Sequence, residues 1–277
     1  MVKNEFNISN ILTNNNSIID DNKLDIIKRF YNNVKNIDID TCNKNIKYCG
    51  KEGHWLEKKM GINPNSKNEP DIFGYEMKKE SNKTTLGDYS ASEYAFSKKR
   101  TNINSFNNWD KNIKINRKEF LTYFGSPNQK KNNRYSWSGS CVPTYNKWND
   151  FGQNLMILDN NDIVIFYSFD EDKRNIKNNF PEFLKKNNIL IALWKEEKMK
   201  CHINKKFNNK GFFICKKINN KYQKISFGKP FDFNYFIECI KKKIIIFDSG
   251  MYDGNKRNYS QFRGSNFWND LIIEEYL

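Results

Sequence analysis

The sequence predicts an α/β (α+β) chain, a mixed β-sheet flanked by helices. Three observations predict it. Short runs with strand-like alternation recur along the chain, and two pairs of them turn at Asn-Asn dipeptides. Segments with apolar residues at helical spacing lie before and between those runs. Neither an internal repeat nor a Pro/Ser linker divides the 277 residues, a length that can bury a real core.

Residues 1–20 are rich in Asn and read as a loose arm. Residues 21–36 carry Leu24, Ile27, Phe30, Tyr31 and Val34, one apolar stripe at helical spacing. A short helix is expected at 52–60, stopped by Gly61 and the NPNS turn. A strand over 71–79 follows, then another near 84–90. Residues 116–124 read as a helix capped by Asn116 and closed by Gly125. Residues 126–152, polar and aromatic, read as a long surface loop, a feature uncommon unless it binds something. Hairpins turning at Asn160-Asn161 and Asn219-Asn220 flank the strand-like NILIALWKEE. FDFNYFIECIKKK is expected to be helical, IIIFDSG a wholly apolar strand, and 250–270 a polar tail.

The formal net charge is +15, which points to a polyanionic partner, nucleic acid first. Lys, Asn and Ile crowd the chain, however, as a biased coding composition alone would produce. Only seven of the 47 basic residues are arginines, so their positions carry more information than bulk lysine. No apolar run reaches the roughly eighteen residues that a membrane span needs. The first residues lack the layout of a secretory signal, so the expected location is the cytoplasm. Six cysteines form no C-x-x-C pair and are expected as reduced core thiols. Two histidines, His54 and His202, are too few for a His-rich metal site or a Ser-His-Asp triad.

Residues 68–81, NEPDIFGYEMKKES, set Asp71, Glu76 and Lys78 among Phe73, Tyr75 and Met77. On a strand, Glu76 and Lys78 share one face while Tyr75 and Met77 pack on the other. Gly74 allows a turn or bulge through which Asp71 swings back beside Glu76. Two carboxylates then converge, with an ammonium two residues along. Hard oxygen ligands in this number suit Mg²⁺, which keeps waters and takes substrate phosphate. Such an ion acidifies water and stabilises charge on phosphorus. Lys78 would hold that water, neutralise the acids in part, or sit against the attacked phosphate. The chemistry is phosphodiester hydrolysis without a covalent intermediate. Taken alone, D-x4-E-x-K is more often a solvated strand face than an active site. Pro70, the apolar flanks and Glu57 on the upstream helix weigh the other way.

PDIFGYEMK resembles the PD-(D/E)XK nuclease motif in the compact form, with four residues between Asp and Glu. GHWLEKKMGINPNSKNEPDIFGYEMKKES is similar to the MutH-like branch, which includes type II restriction endonucleases and in which a G-x-x-LE-like helix precedes the motif. The resemblance implies a restriction-endonuclease-like mixed sheet in one endonuclease domain, 1–277. Within it, 1–48 would be an N-terminal helical arm, 49–130 the catalytic core, and 131–277 the remaining sheet and DNA-recognition elements. It implies that Asp71 and Glu76 ligate Mg²⁺, that Lys78 is the catalytic lysine, and that Glu57 matches the upstream glutamate. It implies cutting of double-stranded DNA at a short G·C-containing site, CC-N-GG-like, by an enzyme acting as a monomer, with a cognate DNA methyltransferase acting on the same site. One departure stands out. Relatives that cut CC-(W/S/N)-GG sites tend to place a histidine soon after the lysine, where this chain has Lys79, Glu80 and Ser81.

The segment 249–268, SGMYDGNKRNYSQFRGSNFW, holds Arg257 and Arg263 among donors and acceptors of the kind that read base edges. These two arginines are the first candidates for guanine, with Asp253 for cytosine. Tyr252, Asn255 and Gln261 complete the set, and the resemblance adds major-groove contacts for this block. A solvated loop that merely binds phosphate is the plain alternative. In 134–151, Arg134 is a further DNA candidate, whereas Trp137 and Trp148 are expected to pin the loop to the core. His54 lies at i, i+3 to Glu57, where packing or a surface hydrogen bond is expected; His202 is expected to be structural. Two other functions stay open on sequence alone: a nicking or DNA-processing nuclease, and a non-catalytic basic DNA-binding protein. Cleavage that requires a divalent metal separates the last from the others.

Overall fold

The protein is described by a computed structural model over residues 20–40, 50–63, 68–97, 115–264 and 267–277. Apart from Asp20, the arm expected at 1–20 lies outside the described residues, as do Cys42, Cys49 and most of the NPNS turn.

Helices α1 (Asp21–Asn33) and α2 (Lys51–Lys59) precede strands β1 (Glu76–Lys79), β2 (Thr84–Asp88) and β3 (Glu93–Tyr94). Helix α3 (Arg117–Phe124) leads into β4 (Ser126–Asn128), β5 (Arg134–Trp137), β6 (Phe151–Ile157), β7 (Ile163–Asp172) and β8 (Ile189–Trp194). Helix α4 (Glu196–Phe207) connects to β9 (Phe212–Ile218) and β10 (Lys221–Gly228). Helix α5 (Phe233–Lys241) precedes β11 (Ile245–Asp248), β12 (Met251–Tyr252), β13 (Gln261–Gly264) and β14 (Ile272–Tyr276). The mixed α+β class expected from the sequence is the one observed. The chain divides into two units: Met1–Thr84 with Ile203–Asp232 and Trp268–Leu277, and Thr85–His202 with Phe233–Phe267.

In the first unit, one sheet runs β1-β9-β10-β14. β1 is parallel to β9, with Glu76 opposite Phe212, and the other pairs are antiparallel. The β9–β10 turn uses Asn219 and Asn220 at φ 51° and 63°, the left-handed pair that a two-residue hairpin demands. Ile26, Ile27 and Phe30 of α1 and Trp55 and Leu56 of α2 pack with Tyr75, Met77, Phe213, Phe227 and Tyr276. Burial of each such side chain contributes about 1.5–3 kcal/mol. The sequence expectation for α1 ran to 36, but the helix ends at Asn33. Asn36 adopts φ 61°, and its N–H donates to the Tyr222 carbonyl at 2.9 Å, which diverts the chain. The strand expected over 71–79 is regular only from Glu76, because 72–75 form a tight turn.

The second unit holds an antiparallel sheet, β3-β8-β7-β6, and two three-stranded sheets, β11-β13-β2 and β12-β5-β4. Helix α3 is capped as expected. Asn116 accepts from the Glu119 N–H at 3.0 Å, and Glu119 accepts from the Asn116 N–H at 2.7 Å, an exchange stabilising by about 1 kcal/mol. The β6–β7 hairpin turns where expected, with Asn161 at φ 62°.

Three expectations are corrected here. Residues 126–152 are no surface loop: β4 and β5 pair within it, and Trp137 is fully buried. Its indole N–H donates to Gln153 Oε1 at 2.8 Å, and Gln153 in turn donates to the Phe124 carbonyl at 2.7 Å. These strands are too short and polar to alternate visibly, and between 126 and 137 only Trp137 is buried. Nor is 250–270 a polar tail, since β12 and β13 lie in sheets with Met251 and Phe262 buried. β11 alternates as well, with Ile245 and Phe247 inward and Asp248 partly exposed.

Candidate active site

The site in the first unit is built by a turn, an edge strand and a helix end. Ile72 and Tyr75 exchange backbone hydrogen bonds at 3.1 and 2.8 Å around Phe73 (φ 50°) and Gly74 (φ 84°). A two-residue turn with both φ values positive favours glycine, and Gly74 is also where the backbone meets the Asn209 side chain. The turn brings Asp71 back over the strand, and Asp71 Oδ2 accepts the Met77 N–H at 2.8 Å. Tyr75 and Met77 enter the core, as their alternation requires.

On the opposite face, Glu76 is 2 % exposed. Its Oε1 is 2.6 Å from Lys78 Nζ and 3.0 Å from Lys206 Nζ. Its Oε2 is buried and has no hydrogen-bond partner among the protein atoms. Asp71 is held up, to about 7, by burial first and by the Glu76 charge second, against the pull of Lys78 and Lys206. Burial and the neighbouring Lys78 hold the Lys206 ammonium below its ordinary value. The sequence-expected trio of Asp71, Glu76 and Lys78 is therefore brought together.

The donor set suits a divalent ion such as Mg²⁺. An orphaned, buried carboxylate oxygen and a second carboxylate discouraged from ionising by burial and then by its neighbour both gain from added positive charge. Among the described residues, no group of three or more His, Cys, Asp or Glu could hold a metal. Two carboxylates with water and phosphate completing the shell is nevertheless a known Mg²⁺ arrangement. Glu57 is not gathered with them: its Oε2 lies 3.7 Å from His54 Nδ1 on the partly exposed side of α2.

Lys206 is the residue that sequence reading missed. It sits in the last turn of α4, just before the strand that pairs with β1. Its only signal was a basic pair, Lys205-Lys206, in a chain where lysine is common.

The DNA-contact candidates lie in the second unit. The Arg134 guanidinium stacks 3.5 Å from the Tyr252 ring centroid. The Asp253 N–H donates to the Tyr135 carbonyl at 2.9 Å, and Asn255 Oδ1 accepts the Tyr252 N–H at 2.5 Å, so residues 252–255 form a pinned, exposed turn. Arg257 is largely exposed and pairs with Asp88 Oδ2 at 2.7 Å. Gln261 and Arg263 share one face of β13, where Gln261 Oε1 accepts from Arg263 Nη2 at 2.5 Å, and Asp248 lies 3.5 Å away. His202 stacks on Tyr89, as a structural histidine would. Cys141, Cys215 and Cys239 are buried thiols, whereas Cys201 is exposed, contrary to expectation.

The chain superposes on the restriction endonuclease MvaI–cognate DNA substrate complex with a TM-score of 0.53, covering 83 % of this chain and 88 % of that one, at 15 % identity, a likeness of fold. It is 43 % identical over 269 residues to the type II restriction enzyme ScrFI of Lactococcus lactis subsp. cremoris, covering 91 % of this chain and 98 % of that enzyme. The model of the LlaMI restriction endonuclease family matches residues 34–276, and the chain belongs to that family.

Proposed function

We propose that this type II restriction endonuclease hydrolyses phosphodiester bonds of double-stranded DNA at a short G·C-containing site, with Asp71, Glu76 and Lys78 at the reacting phosphate and Mg²⁺ as cofactor. The observation that carries the reading is the state of Glu76: one oxygen held by two lysines, the other buried and unpaired.

Each residue has a derivable task. Asp71 and Glu76 Oε2 would hold the ion. When bound, the ion supplies Lewis-acid charge to the phosphate and makes water a better nucleophile. The Met77 N–H fixes the Asp71 rotamer, leaving the other carboxylate oxygen for the ion. Lys78, on the Glu76 face of the strand, would donate to a phosphate oxygen or orient the attacking water. The burial of Glu76 lowers the local dielectric and strengthens each of these interactions.

Arg257 and Arg263 would read guanines, Asp253 would read cytosine, and Tyr252, Asn255, Gln261 and Arg134 would support them. Family resemblance suggests a five-base CC-N-GG-like site, monomeric action in the cytoplasm, and a cognate methyltransferase protecting the same sequence. The test is incubation of the purified protein with unmethylated phage DNA in Mg²⁺ or in EDTA. Discrete bands in Mg²⁺ alone are expected, and their sequenced ends would give the site. Intact but gel-shifted DNA in both would reduce the acid cluster to a surface feature of a binding protein.

A further inference from the structure

We propose that Lys206 is a positioning residue of the nuclease site, holding Glu76 so that Lys78 can leave that carboxylate for the scissile phosphate. The inference rests on the reading of Asp71, Glu76 and Lys78 as the hydrolytic site.

Two ammonium groups meet one carboxylate oxygen, at 2.6 and 3.0 Å. For a structural ion pair the second is redundant, and each lysine brings a desolvation cost of its own. The redundancy has a use if one lysine has another task. Glu76 is almost fully buried, and a buried carboxylate stripped of its partner is strongly unfavourable. Were Lys78 its sole partner, moving Lys78 to the phosphate would strand Glu76. Lys206 removes that conflict.

Lys206 is also tied to the same frame as Glu76. It precedes Phe207, which is fully buried. The Lys210 N–H donates to the Gly74 carbonyl at 3.2 Å, and the Glu76 N–H donates to the Gly211 carbonyl at 3.0 Å. Asn209 packs against Gly74, and β9 then runs beside β1. The 206–212 segment is thus bound to the 74–76 backbone, by contacts that do not involve Lys78. The charge count agrees: two carboxylates, one divalent ion, a dianionic phosphorane-like transition state and two ammonium groups sum to neutrality, whereas one lysine would leave a negative excess in a buried site.

The test compares wild type, Lys206→Met and Lys206→Arg. Single-turnover cleavage is measured at saturating Mg²⁺, and Mn²⁺ binding to the DNA-free protein by calorimetry. Lys206→Met is expected to cleave about 10–100-fold more slowly. It should bind Mn²⁺ at least as tightly, because an ammonium that repels the ion is gone. Lys206→Arg should recover most of the lost rate, and Lys206→Gln replaces the Met variant should that one not fold. A Lys206→Met rate within about twofold of wild type would overturn the proposal. So would a parallel loss of Mn²⁺ affinity and rate, which a merely structural lysine produces. A wild type that neither binds Mn²⁺ nor cleaves would bring down the hydrolytic reading itself, and is told apart from the other failures by that control.

Discussion

Asp71 reaches over the Phe73–Gly74 turn to accept the Met77 backbone N–H at 2.8 Å. One carboxylate thereby holds its own turn and faces Glu76. An asparagine can accept the same hydrogen bond without the charge. Asp71→Asn is therefore expected to keep fold and DNA binding while cleavage falls at least about 100-fold, and Lys78→Ala to behave alike. Gel assays with Mg²⁺, beside binding assays in EDTA, check this; wild-type-like cutting by either variant would sink the assignment.

The displaced acidity of Asp71 makes stability depend on pH. Its carboxyl is raised from 3.8 to about 7 by burial and by Glu76. Between those values the unfolded chain gives up the proton first, so the folded state binds more protons and stability falls as pH rises through the window. For a mostly buried group the loss is on the order of a few kcal/mol at about 1.4 kcal/mol per unit. Urea unfolding in EDTA should show the metal-free protein weaker at pH 8 than at pH 5, and Asp71→Asn should flatten that slope. Added Mg²⁺ should stabilise more at pH 8 than at pH 5; equal effects at both would contradict the shift.

Two glycines separate strain from propensity. Gly74 has φ 84°, and a Cβ there would come within 2.8 Å of Asn209 Nδ2. Gly74→Ala should cost about 1–3 kcal/mol and slow cleavage more than it weakens DNA binding. Gly53 lies in α2 with nothing within 4 Å of its added Cβ, so Gly53→Ala should stabilise by about 0.5–1 kcal/mol. Urea midpoints decide both.

Arg263 is aimed by its neighbour, since Gln261 Oε1 accepts from both its Nε and Nη2. Arg263→Ala should lose about 1–3 kcal/mol at one base position and relax specificity there. Binding measured on a panel of single-base variants tests this. An equal loss on every sequence would mean that the side chain touches only phosphate.

The clustering of Asp71, Glu76 and Lys78 was legible because its geometry is local. Alternation put Glu76 and Lys78 together, and Gly74 announced the turn that returns Asp71. The Asn-Asn hairpins and the Asn116 cap were legible for the same reason. What escaped was non-local. Lys206 reaches Glu76 only through the parallel pairing of β1 with β9, and lysine is too common in this chain to stand out. β4 and β5 escaped because their partners, not their composition, make them strands. Glu57 shows the opposite failure: a good local pattern whose side chain is turned toward His54.

The pairing of β1 with β9 also bears on how the enzyme is made. Glu76 through Lys79 find their strand partners in Phe212 through Cys215, and Lys206 lies just ahead of them. On a ribosome adding roughly 5–20 residues per second, the carboxylate pair emerges many seconds before the strand and the lysine that complete its surroundings. A truncated or stalled product ending in between carries the whole motif and yet no assembled site. In a cell whose own DNA is a potential target, toxicity would then begin only with chains that extend past Cys215.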